Sequence, residues 1–88
     1  MGIILRDKFG NHKDTALISM EDVNRVIKDG YNWVTYRKGS ELMVVANTPD
    51  GRIRLDELIM KPDETMNVHH INLNPLDNRR ENLENQPC

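Results

Sequence analysis

Eighty-eight residues with 12 basic and 14 acidic side chains, a formal net charge of -2, are the size of one domain with one modest core. The apolar share of 38%, with one Trp, two Tyr and one Phe, implies a core built mostly from Val, Ile, Leu and Met. The charge balance excludes the strongly basic surface on which unaided duplex binders rely, and from Gly51 onward five basic residues (Arg52, Arg54, Lys61, Arg79, Arg80) face seven acidic ones (Asp56, Glu57, Asp63, Glu64, Asp77, Glu81, Glu84), a composition that favours a basic protein partner.

In chain order, Ile3-Ile4-Leu5 and Thr15-Ala16-Leu17-Ile18 are expected as two short strands, joined by a turn in which Gly10-Asn11 supplies the positive backbone angles. Ser19 reads as a helix N-cap with Asp22 as its capping partner, Met20, Val23, Val26 and Ile27 as the core-facing stripe, and Gly30 as the stop. Tyr31 to Tyr36 and Leu42 to Ala46 form a hairpin about Lys38-Gly39-Ser40, with Trp33 as a core anchor. After the Thr48-Pro49-Asp50-Gly51 turn, Arg52-Ile53-Arg54-Leu55 alternates as a strand and Asp56 to Met60 begins a helical turn. Lys61 to Met66 is a polar connector. The expected architecture is a single α+β domain over residues 1–88, a small antiparallel sheet with one main helix.

Cys88 is the sole cysteine and reads as an inert tail residue, so neither an internal disulfide nor a thiolate zinc site is available, which fits a reducing cytoplasm. Neither a signal-like start nor a membrane-length apolar run occurs in the sequence.

The segment richest in chemistry is Val68-His69-His70-Ile71-Asn72-Leu73-Asn74-Pro75-Leu76-Asp77-Asn78-Arg79-Arg80-Glu81-Asn82-Leu83. Imidazole can bind a divalent ion or take a proton from water near neutral pH, and two in succession offer both roles. Neighbours on a regular strand point to opposite faces, so His69 and His70 share a site only where the strand ends or twists. Asn78 with Glu81 three residues on reads as a second N-cap and capping partner, and a short turn from Arg79 would bring Asn82 back toward the histidines. Both asparagines also have structural readings as cap and loop anchor. Arg79 and Arg80 are expected to pair with Asp77 and Glu81.

With its His-His-Ile, its Asp-Asn-Arg-Arg and its Asn-Leu, this segment resembles the HNH endonuclease motif of bacteriophage and homing-type enzymes. The likeness extends more weakly upstream through Ser19 to Asp22, Trp33 and the run from Leu55 to Met60. The resemblance implies a ββα-metal site over residues 61–88, preceded by hairpins and a helix over 1–60. It implies His70 as the general base, His69 as a metal ligand, Asn82 as the asparagine orienting the histidine, and Asp77, Asn78 and Arg79 as residues shaping the loop. Magnesium, manganese or zinc would stabilise the scissile phosphate in an active member, and an inactive one would need no metal.

This chain departs from the family pattern in two places. Pro87 and Cys88 stand where the family continues into a ligand-bearing helix, and Asp56 stands where relatives carry histidine. The sequence therefore favours an HNH-derived, phage-type protein of the host cytoplasm that is impaired in catalysis and binds a macromolecular partner. That partner would be a basic nuclease or ribonucleoprotein, which the chain would inhibit as an anti-CRISPR protein does a CRISPR effector. The alternative is a minimal metal-dependent endonuclease that nicks DNA, and pairing of two copies through open strand edges is a third expectation.

Overall fold

The computed structural model describes residues 1–6, 9–28 and 30–87; the expectation for Cys88 lies outside the described residues. Two strands open the chain, β1 (Gly2–Arg6) and β2 (His12–Ile18), paired antiparallel with Ile3 opposite Ala16. Alternation along β2 sends Ala16 and Ile18 inward, at 0% and 1% exposure, and leaves Leu17 outside at 38%. A 3-10 turn (Met20–Asp22) then leads into α1 (Val23–Ile27), and Gly30 at φ 66 caps it by donating its N–H to the Ile27 carbonyl.

The expected helical stripe is corrected here. Val26 is buried, but Met20 is 74% and Ile27 55% exposed. A 3-10 turn of three residues per turn feeding a short α-helix does not keep Met20 and Ile27 in line with Val26. Ser19 makes no side-chain cap bond, and Asp22 is drawn fully inside by a distant arginine rather than capping the turn.

The next three strands are β3 (Trp33–Lys38), β4 (Glu41–Thr48) and β5 (Gly51–Arg54), an antiparallel sheet with β4 at its centre. The register places Trp33 opposite Ala46, Thr35 opposite Val44 and Ala46 opposite Ile53, so one face carries Trp33, Val44, Ala46 and Ile53 into the core. Trp33 is 3% exposed, its indole N–H donates to the Val26 carbonyl at 3.4 Å, and Tyr31 meets its ring edge-on. Helix α2 (Leu55–Met60) buries Leu55 and Ile59 in the same cluster and ends at Lys61, whose left-handed backbone (φ 46) brings its N–H to the Glu57 carbonyl. Full burial of a residue such as Leu55 contributes about 1.5–3 kcal/mol.

β6 (Met66–His70) runs antiparallel to β8 (Leu83–Pro87), and between them lie the two-residue β7 (Asp77–Asn78) and a 3-10 turn (Arg80–Asn82). The α+β class holds, but the single antiparallel sheet becomes three small sheets, and β7 pairs parallel with β2 through Leu17–Asp77 and Ile18–Asn78. That parallel contact ties the loop between β6 and β8 to the N-terminal hairpin. Two short helices, α1 and α2, take the place of the one main helix. Among the described residues no helix is long and apolar enough to cross a membrane.

Candidate functional site at the histidine strand and its loop

The histidines close β6, with His69 opposite Glu84 and His70 opposite Leu83. The Ile71 N–H continues the ladder one step to the Asn82 carbonyl at 2.8 Å, and there the chain leaves the sheet. A carboxamide network holds the loop that follows. Asn82 Oδ1 accepts the Asn72 backbone N–H at 2.9 Å, and its Nδ2 donates to Asn72 Oδ1 and to the Asp77 carbonyl, both at 2.9 Å. Asn72 donates in turn to Asp77 Oδ2, while the Asn72 and Asn74 side chains accept from Asn74 and Leu76 N–H in successive Asx turns. Leu73 lies at φ 65 between them, a left-handed conformation costly for leucine, and is 77% exposed.

Two aspartates anchor the arginines of this loop. Asp77, 2% exposed, takes Arg79 Nε and Nη2 in a two-point fork at 2.8 Å each. The guanidinium holds the Asp77 carboxyl down at about 2, below the usual carboxylate range, against the opposing pull of burial. Arg80 reaches 58 residues back to the fully buried Asp22, with contacts of 2.7, 2.9 and 3.1 Å, while its backbone N–H donates to Ser19 Oγ. Arg79 also touches Glu81 at 3.3 Å, so the pairing expected from sequence is met for Arg79 and redirected for Arg80, whose partners are Asp22 and Glu21.

His70 Nε2 lies 3.0 Å from Asn78 Oδ1. The Asn78 carboxamide has one orientation here, because its Nδ2 donates to the Pro75 carbonyl, which can only accept. The oxygen therefore faces the imidazole, Nε2 must carry the proton, and a neutral His70 keeps its lone pair on Nδ1. Two expectations change. Asn82 does not orient the histidine; its side chain is wholly used in stapling the loop, and Asn78 takes the orienting position. Nor is Asn78 an N-cap, because it lies in β7, and the cap residue of the following turn, Arg79, makes no side-chain cap bond.

Both histidines line one cleft of about 450 Å³, together with Glu41, Arg54 and Leu73. His70 lies opposite the buried Leu83 and His69 opposite the exposed Glu84, so the two side chains leave β6 on opposite faces while both residues border the cleft. Arg54 lies in a fork with Asp56, at 3.2 and 2.9 Å, and within 3.4 Å of Glu41. Asp56, 4% exposed, is accounted for by that fork.

Among the described residues no three His, Cys, Asp or Glu side chains come together as a metal site. The cleft lining includes His69, His70 and the Glu41 carboxylate, and the bond from His70 Nε2 to Asn78 leaves Nδ1 as the nitrogen a metal could take. Sequence reasoning missed Asn72, and it gave Ser19 and Asp22 capping roles in place of their contacts with Arg80. The spacing of Asn72 and Asn74 was a signal for Asx turns, but nothing local marks Asp22 as the partner of Arg80. Compared with known proteins, the chain matches no family model, no curated protein and no solved structure.

Proposed function

We propose that the chain is an HNH-type domain that binds nucleic acid at the histidine cleft, with His70 as the base for water in a slow phosphodiester hydrolysis. The observation that carries this reading is the relay from Pro75 through Asn78 to His70, which fixes the imidazole with its basic nitrogen on Nδ1. A base held in one tautomer loses nothing to reorientation when a proton must move. His69, its neighbour in β6, borders the same cleft. No step is assigned to an ion. The test is nicking of supercoiled plasmid in magnesium, manganese and zinc buffers. Wild-type protein is expected to nick slowly, His70→Ala to lose about a hundredfold or more of that rate, and Asn78→Ala to lose part of it. Undiminished nicking by His70→Ala, or none by wild type in any buffer, would refute the hydrolytic reading.

A second reading is a binding protein that inhibits a basic nuclease. It is favoured by the arginine forks: Arg54, Arg79 and Arg80 each give their guanidinium to a buried carboxylate, which withdraws the site's own cations from a phosphate. Stoichiometric slowing of an RNA-guided nuclease would support it, and unchanged cleavage at excess protein would count against it.

A further inference from the structure

The face of the β3–β4–β5 sheet turned away from the core carries Tyr36 and Lys38 from β3, Glu41, Val45 and Asn47 from β4, and Arg52 and Arg54 from β5, as the register Tyr36–Met43, Val45–Arg54 and Asn47–Arg52 requires. Val45 is outside the core cluster yet only 1% exposed. A roof of long side chains explains this. Arg54 stands directly opposite it, and the Arg52 guanidinium lies 4.1 Å above the Tyr36 ring, with Nε donating to Asn47 Oδ1 at 3.3 Å. Arg52 is exposed, so one surface of its stacked guanidinium remains open to solvent.

Arg54 on this face is held by the buried Asp56 and lies near Glu41, with Glu57 of α2 at the margin, so Lys38 and Arg52 are the cations of the face that are not forked to a buried carboxylate. The face also continues into the histidine cleft, whose lining includes Glu41 and Arg54.

We infer that this outer sheet face is a docking surface for single-stranded nucleic acid, with Arg52 on Tyr36 as a stacking platform for a base and with Lys38 and Arg52 meeting the phosphates. The inference rests on the nucleic-acid reading above and names the surface that engages the strand. Arginine held flat by an aromatic ring stacks on bases without regard to sequence, and cations on a sheet track a flexible backbone. The strand would cross from β5 into the cleft before His69 and His70.

The test is fluorescence anisotropy of a labelled single-stranded DNA of about twenty mixed nucleotides, long enough for one binding site, titrated with full-length protein at rising salt. Wild type is expected to bind with an affinity that falls as salt rises. Arg52→Glu and Lys38→Glu should each weaken binding about tenfold or more and lower the logarithmic salt slope by about 0.7 per lost phosphate contact. Arg52→Gln, which keeps the stem over the sheet, guards against misfolding and should still cost several-fold. Lys28→Glu makes the same change of charge outside the sheet and should stay within about twofold. Binding indifferent to Arg52 and Lys38, equal affinity for the matching duplex, or no binding at low salt would each overturn the inference. Arg52-dependent binding without plasmid nicking would remove the proposed hydrolysis and leave the docking face standing.

Discussion

Replacing Asn82 with alanine removes a buried carboxamide that makes three hydrogen bonds and has no solvent role, since the residue is 6% exposed. The Asn72 backbone N–H and the Asp77 carbonyl both lose their partner. Each buried orphan costs about 1–3 kcal/mol, and water reaching the exposed Asn72 offsets part of one, so the expected loss is about 3 kcal/mol. In a domain whose whole stability is about 5–15 kcal/mol, that loss lowers the thermal midpoint by about 12–24 °C. Urea unfolding followed by circular dichroism reads it as a lowered midpoint with an unchanged slope. A double-mutant cycle with Asn72→Ala should return a coupling of about 1 kcal/mol or more, because the two side chains bond each other directly. A loss under about 0.5 kcal/mol, or a coupling near zero, would refute the assignment of Asn82 as the loop's staple.

Arg80→Ala leaves the fully buried Asp22 carboxylate without its fork, and thermal unfolding should report a loss of about 3 kcal/mol, the lower end for a broken buried pair because Arg80 itself is 40% exposed. For Asp77 the sign follows from its carboxyl, held at about 2 in the folded chain and near the ordinary value once unfolded: its stabilisation is full above about pH 4, fades as pH falls toward 2, and should amount to on the order of 1 kcal/mol after screening of the half-exposed Arg79. Urea midpoints between pH 5 and pH 2 check this, and Asp77→Asn should flatten that part of the profile. Leu73→Gly relieves the left-handed backbone at the cleft rim, and denaturation should show it neutral or stabilising, in contrast to the usual cost of glycine.

The strands were legible because their apolar residues alternate and their turns carry Gly10, Gly39 and Gly51 at positive φ. Trp33 was legible as core for the same reason. The region from Met20 to Ile27 was less so, since a 3-10 turn followed by a short helix leaves no single periodic stripe. At the site, sequence could place His69 and His70 at a strand end and two asparagines nearby, but not decide which asparagine turns to the imidazole. That choice depends on β7, whose parallel pairing with β2 is a contact sixty residues apart in the chain. The link between Asp22 and Arg80 is hidden likewise. Net charge is an average over the chain and does not show where charges stand: Asp22, Asp56 and Asp77 are spent inside ion pairs with Arg80, Arg54 and Arg79, while Lys38 and Arg52 share one sheet face.

The relay that fixes His70 is tested most directly by long-range nitrogen-proton NMR of the imidazole at a pH where it is neutral. Wild-type protein should display the proton on Nε2 and the lone pair on Nδ1, and Asn78→Ala should give a mixture of tautomers. A proton on Nδ1 in the wild type, or a pattern unchanged by Asn78→Ala, would contradict the account.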